Sequence, residues 1–135
     1  MALRLPAIER KEQVLDVALA VFAVKGFHDT SMNDIAEAAG VTKPVVYQHY
    51  ESKRALFLAI IDHVGDRMIE VLTAATSGLT DGQAQVEAGM IAFFKWVERD
   101  KNAFKFLFDS GTQNDEEFTI AIRKVLDRSA EAIAL

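Results

Sequence analysis

Apolar residues recur at helical spacing along almost the whole chain. Leu15, Ala18, Leu19 and Phe22 fall at i, i+3, i+4 and i+7, the mark of an amphipathic helix. That helix is expected from about Ala7 to Lys25. Lys25 suits the negative end of the helix dipole, and Gly26 can close the helix at a positive φ. Ser31 followed by Asp34 reads as a capping box and starts a short second helix that ends near Ala39. Gly40 reverses the chain. Ile35, Ala36 and Ala39 face inward, and the small alanines permit a close crossing with the next helix. Thr42 is the expected N-cap of a third helix, with Pro44 in its first turn, where a missing N–H costs little. Val46 and Tyr50, four apart, point to the core. Ser52 caps a long fourth helix reaching about Ala75, with an apolar stripe of Leu56, Ile60, Val64, Ile69 and Leu72.

The second half continues the pattern. Thr76-Ser77-Gly78 and Thr80-Asp81-Gly82 mark a connection. A fifth helix is expected from about Gly82 to Arg99, and a sixth, capped by Asn102, through Phe108. Ser110-Gly111 breaks it. A last amphipathic helix starts near Asp115, with Asp115-Glu116-Glu117 as an exposed acidic start that suits the dipole. It meets no stop signal before Leu135. Two prolines and few alternating β-branched runs make the fold class all-α. There is no internal repeat and no low-complexity segment.

The stretch from Thr30 to Phe57 has the layout of a helix-turn-helix unit: two short helices around a glycine turn, then the start of another. Its third helix leaves Lys43, Pro44, Val45, Tyr47, Gln48 and, at the margin, His49 outside the core. A short helix with so many exposed residues, one a large aromatic, is poorly explained by stability and well explained by a partner surface. The plainer readings stay open: Tyr47 can cover the core edge, and the His49 imidazole can hydrogen-bond within the fold.

Composition sets bounds on this picture. The 135 residues suffice for one domain or two small helical halves sharing a core. The absence of cysteine excludes disulfides and Cys-type zinc sites, and suits a reducing cytosol. The apolar run from Val14 to Val24 is too short to span a bilayer, and lies too deep in the chain for a secretory signal. A net charge of −5 is unusual for a nucleic-acid binder. The distribution softens this. Residues 1–60 balance Arg4, Arg10, Lys11, Lys25, Lys43, Lys53 and Arg54 against an equal number of acids, so the excess lies in residues 61–135. Within 41–54, Lys43, Lys53 and Arg54 face Glu51 alone. The basic footprint is local and predicts weak non-specific DNA affinity, although charge alone fits an ordinary solvated surface equally well.

At this point a resemblance becomes specific. Val14-Leu15, Ala18, Phe22, Gly26, Thr30, Ile35-Ala36, Ala39-Gly40-Val41, Tyr47, Tyr50, Lys53 and Leu56 resemble the tetracycline-repressor (TetR) family of bacterial transcriptional regulators, at fixed spacing and without insertion. The resemblance implies a helix-turn-helix DNA-binding domain over residues 1–52. A long helix then joins it to a helical ligand-binding and dimerisation domain over residues 53–135. Thr42 to Tyr50 would be the recognition helix, with Lys43, Pro44, Val45, Tyr47 and Gln48 toward base edges or the adjacent backbone. Gln48 would pair with adenine and Val45 meet a thymine methyl. Asn33 would reach a base or a phosphate, and Ser31, Thr42, Tyr47, His49 and Lys53 would hold phosphates. Many members carry glycine in place of Pro44. Proline also occurs there, and it removes one possible backbone N–H contact.

The resemblance further implies a cytoplasmic homodimer on a near-palindromic operator, read first as a repressor released by a small effector. Two recognition helices would lie roughly 34–36 Å apart, one DNA turn. Family members are generally longer, and their last helices form the dimer's four-helix bundle. The present chain stops where those helices should begin, so the expectation is either a C-terminally incomplete regulatory domain or a member that dimerises by other surfaces.

The aromatics of the second half fit both core packing and an apolar pocket between helices. Met68, Met90, Phe94, Val97 and Phe104 are the candidate lining, favouring an apolar or aromatic effector. Phe93 and Phe94 lie on adjacent faces and cannot both point the same way. Asp62, His63 and Asp66 do not share one helix face, which speaks against a metal site, and His28 reads as a solvated loop residue. No nucleophile–base pair, phosphate loop or paired-carboxylate site stands out, so neither an enzyme nor a cofactor is expected. The rival reading is a helical ligand- or protein-binding module without a DNA role.

Overall fold

The structure, a computed structural model, describes residues 6–134; Arg4 and Leu135, both used in the reading above, lie outside the described residues. Among the described residues seven helices follow in order: α1 (Ala7–Lys25), α2 (Met32–Ala39), α3 (Lys43–His49), α4 (Lys53–Thr76), α5 (Gly82–Arg99), α6 (Lys101–Phe108) and α7 (Glu116–Ala134).

Local chemistry sets most boundaries. The α2 capping box is complete: Asp34 N–H donates to Ser31 Oγ at 3.0 Å, and Ser31 N–H donates to the Asp34 carboxylate at 2.9 Å. Gly40 ends α2 at φ 69°, in the left-handed region that favours glycine. Ser52 caps α4 by accepting from Ala55 N–H, and Asp81 caps α5 by accepting from Ala84 N–H. At α6 the expectation fails. The cap is Asp100, not Asn102, and it accepts from Ala103 N–H at 3.2 Å. Asp100 also ends α5, so one residue closes a helix and opens the next, leaving no loop in which Asn102 could act. Thr42 occupies the N-cap position of α3, but its side chain makes no capping bond.

The α4 stripe also departs from expectation at one position. Leu56, Ile60, Val64, Met68 and Leu72, at strict four-residue steps, are all buried, while Ile69 is half-buried. A further step of four from Val64 lands on Met68. Phe57 and Ile61 widen the stripe on the side of α1 and α6.

Helix α4 runs through the middle of the molecule. It packs on α5, α7 and α1; α1 in turn packs on α2 and α6, and α2 on α3. Phe57 is the hub, with ring centroids 4.4 Å from Phe106, 4.5 Å from Phe118, 5.1 Å from Phe27 and 5.2 Å from Phe22. Each buried ring contributes roughly 1.5–3 kcal/mol of burial free energy, so this cluster ties the reading end of the chain to α6 and α7. Two glycines allow close helix approaches. A Cβ on Gly65 of α4 would sit 2.6 Å from Val125, and one on Gly89 of α5 would sit 2.8 Å from Ile133. On the outside of α5, Val86, Met90, Ile91 and Phe94 are exposed. Among the described residues no helix is long and apolar enough to cross a membrane.

Candidate nucleic-acid interface

Helix α3 is anchored through few side chains. Val46 is fully buried, and Tyr50 at the C-cap is buried with its hydroxyl donating to Lys11 O of α1 at 3.3 Å. Lys11 also lies over the Tyr50 ring. These anchors fix the rotation of the helix. Its opposite face carries Lys43, Pro44, Tyr47 and Gln48, all exposed, with Val45 and His49 half-buried at the margins. Tyr47 keeps 45% of its surface open, more than a residue sealing the core edge would.

The flanking candidates are partly engaged. Ser31 uses its oxygen as an acceptor in the capping box, leaving its O–H to donate outward. Asn33 is exposed and its amide reaches Glu37 at 3.3 Å. Asp34 is held down to about 2 by the Ser31 N–H and the Lys25 ammonium, which pairs with it at 2.9 Å. Thr42 is exposed, its hydroxyl taking no part in capping.

The local cations resolve in a way that the sequence did not show. Lys53 donates to Phe27 O at 2.7 Å and lies 4.2 Å over the Phe27 ring, and burial pushes its pKa down. An ammonium has three donors, so two remain for an external anion. Arg54, counted in the basic footprint, is committed elsewhere. It makes a two-pronged contact to Asp115 at 2.6 and 3.2 Å, a third bond to Glu117 at 2.9 Å, and stacks 4.4 Å over Phe118. That network raises the Arg54 pKa and lowers that of Asp115. Asp115, which also caps α7 by accepting from Phe118 N–H, is therefore part of a bridge between α4 and α7, not simply an exposed helix start. Within 41–54, Lys43 is the one cation without a partner among the described residues. No pattern rule pairs residues 61 positions apart, so the Arg54 bridge had no signal in the sequence.

A second tie runs from the α1–α2 turn. Gly26 adopts φ 84°, Thr30 Oγ1 donates to Gly26 O at 2.7 Å, and Phe27 N–H donates to Ser110 O at 3.0 Å. The ring of Phe27 meets Phe118 at 4.9 Å. The helix-turn-helix unit is thus fastened to the α6–α7 segment by a backbone bond, a ring pair and an ion bridge.

The five pocket candidates are not brought together. Met68 is 1% exposed in the core under α4. Met90 and Phe94 point outward from α5, Phe104 pairs with Phe108 on the surface of α6 at 4.9 Å, and Val97 is half-buried. None of them lines the α6–α7 cleft or any of the clefts beside α1, α4, α5 and α7 described by the structure. The reason lies in rotation. Helical spacing tells which residues share a face, and packing alone decides whether that face meets a void, the core or solvent. Asp62 is exposed, His63 faces Asp16 at 3.7 Å and Asp66 pairs with Arg128 at 3.0 Å, so the three point to different partners. Among the described residues no cluster of metal-binding side chains occurs.

Residues 14–60 match the sequence profile of bacterial regulatory proteins of the TetR family. The chain is 32% identical over 130 residues to the HTH-type transcriptional activator FasR of Mycolicibacterium smegmatis, covering 96% of this chain and 59% of that protein. It is 26% identical over 127 residues to the HTH-type transcriptional regulator YdgC of Bacillus subtilis, covering 89% of this chain and 65% of the relative. The chain therefore spans less than two thirds of these curated relatives. The crystal structure of a TetR-like transcriptional regulator from Rhodococcus sp. RHA1 superposes with a TM-score of 0.83 at 32% identity, over 96% of this chain and 72% of that one. A shared helical order, a matched helix-turn-helix segment and this level of identity across nearly the whole chain place the protein in the TetR family of bacterial transcriptional regulators.

Proposed function

We propose that the chain carries the DNA-reading head and part of the sensing half of a ligand-responsive transcriptional regulator. The observation that carries this reading is the outer face of α3. Lys43, Pro44, Tyr47 and Gln48 project together from a helix whose other side is locked by Val46 and Tyr50. In this reading α3 enters the major groove. Gln48 contacts base edges, Lys43 contacts the adjacent backbone phosphates, and Val45 and Pro44 offer apolar contact at the groove wall. Tyr47, His49, Thr42, Ser31 and Lys53 contact phosphates around it, and Asn33 reaches a base or phosphate from α2. Arg54 drops out of this set because Asp115 and Glu117 hold it.

Two copies on a near-palindromic duplex would set two α3 helices one turn apart. With Lys43 and Lys53 as the phosphate-facing cations of each head, the salt slope of binding is about −4 for a pair of heads. The sign of regulation depends on where the operator lies relative to the promoter, not on the reading head. FasR is named an activator, so a repressor is one of two outcomes for this chain. The effector acts through its differential affinity for two spacings of the heads. The protein works as a binder in the cytosol and not as an enzyme.

Selection from a random duplex pool tests the reading. The expected product is an enriched two-fold-related motif with half-sites about one turn apart. Binding should weaken steeply with salt, and be lost in a folded Lys43→Ala, Tyr47→Ala double variant. Failure of the wild-type chain to enrich any sequence at low salt sinks the proposal. Light scattering on the same samples reports whether two copies assemble.

A further inference from the structure

The segment joining α6 to α7, residues 109–115, has two faces. One holds the reading head: Ser110 O accepts from Phe27 N–H at 3.0 Å, and the Asp115 carboxylate accepts from Arg54 at the start of α4. The other face closes one end of a cleft between α6 and α7, with a volume of about 310 Å³. Ser110 belongs to both faces, and its hydroxyl donates to Phe106 O within α6.

The cleft has the chemistry of a small-molecule site. Leu107, Phe108, Ile122 and Leu126 form its apolar walls. Phe108 is 38% exposed and Leu126 40%, so two large apolar side chains stand open to solvent across one cavity. Covering them is favourable in proportion to the area removed from water. A volume near 310 Å³ lies within the range of ligand pockets, at the lower end. Arg123 is the one charged side chain in the wall. Arg54, Arg67 and Arg128 each pair with a carboxylate, whereas Arg123 forms no ion pair among the described residues. Asp127, one turn further along α7, stays beyond ion-pair distance. A guanidinium with free donors beside an apolar cavity selects a carboxylate in two-pronged geometry.

We propose that this α6–α7 cleft binds a small apolar acid. Its ring or branched body packs on Leu107, Phe108, Ile122 and Leu126, its carboxylate lies on Arg123, and the occupant acts on the reading head through Ser110. The regulatory part rests on the DNA-binding reading above; the binding part stands without it. An occupant pressing on Ser110 changes the strand of contacts from Ser110 O to Phe27 N–H and from Asp115 to Arg54. Any effect on DNA affinity then equals the difference in ligand affinity between the two arrangements.

The test titrates naphthalene-acetate, and separately its neutral amide, into the whole chain without DNA, read by calorimetry. The acid should bind saturably and more tightly than the amide. Arg123→Gln should weaken the acid about tenfold or more and leave the amide unchanged, as loss of a charge-assisted bond requires. Leu126→Trp, which fills the cleft from an open position, should remove both; Leu126→Gln serves the same end if the tryptophan variant does not fold. Absence of saturable binding, equal affinity for acid and amide, or unaltered binding to a folded Leu126 variant overturns the site. Naphthalene-acetate should then shift duplex affinity of the wild-type chain and not of the R123Q chain. Binding in the cleft with no shift in duplex affinity overturns the action through Ser110. A chain that binds the acid as described but no duplex at all supports the site and refutes the DNA reading instead.

Discussion

Replacing Gly65 with alanine tests the close approach of α4 and α7. The added Cβ would lie 2.6 Å from one Val125 methyl and 3.1 Å from the other, well inside van der Waals contact. Both residues are buried between α4 and α7, so neither helix can move aside into solvent. Overpacking of this kind costs about 1–3 kcal/mol, and the better helix propensity of alanine returns about 1 kcal/mol. The net expectation for Gly65→Ala is a loss of up to about 2 kcal/mol. Val125→Ala alone removes two methyl groups and leaves a cavity, a loss of about 2 kcal/mol. In the double variant the new Cβ occupies the vacated space. The loss in the double variant should then fall short of the sum of the two single losses by about 1 kcal/mol or more, the coupling expected of residues in contact. Urea unfolding followed by far-UV circular dichroism measures all four corners of the cycle. Additivity within about 0.5 kcal/mol refutes the packing argument. So does stabilisation by G65A of about 1 kcal/mol, the response of a glycine on an open helix face. The site matters for function because α4 begins beside α3, so the α4–α7 spacing is also the position of the reading head.

Other expectations are smaller in scope. Gly40→Ala, at φ 69° with open space around the Cβ, should cost about 1–2 kcal/mol from backbone strain alone, read as a lower urea midpoint. Lys43→Ala should reduce the magnitude of the salt slope by about 0.9 per head, and an unchanged slope places Lys43 away from phosphate and base. The Asp34 carboxyl is lowered from 3.8 to about 2 in the fold. Its contribution is therefore fully present above about pH 4 and is lost as pH falls toward 2. Thermal melts of wild type and Asp34→Asn should differ at pH 6 and converge below pH 2, and a constant gap would show that the capping charge is not the cause. Asp100→Ala should lower stability by about 1 kcal/mol whereas Asn102→Ala should not, which separates the two caps proposed for α6.

The legible parts of the fold are those that local chemistry decides. The ends of α1 and α5 agree with the structure because Gly26, the Thr80-Asp81-Gly82 connection and the apolar period are all short-range signals. The α2 capping box was visible for the same reason. Asn102 is the expected cap of α6, but Asp100 holds that place because α5 passes into α6 with no loop between them. Ile69 is half-buried, and the four-residue step from Val64 puts Met68 on the buried face of α4 in its place.

Determined by sequence alone are the all-α class, the order of the helices, the helix-turn-helix and the outward residues of α3. Each depends on hydrogen bonds and side-chain directions within a few residues. Only the tertiary structure decided which cations remain available, because Arg54 meets Asp115 across the whole second half of the chain. It also decided that Phe27 is bound to Ser110, and that the open apolar cleft lies between α6 and α7 and not among the predicted five residues. Helical period fixes the face that a residue occupies. The rotation and spacing of packed helices, set by contacts such as Gly65 on Val125, fix what that face meets.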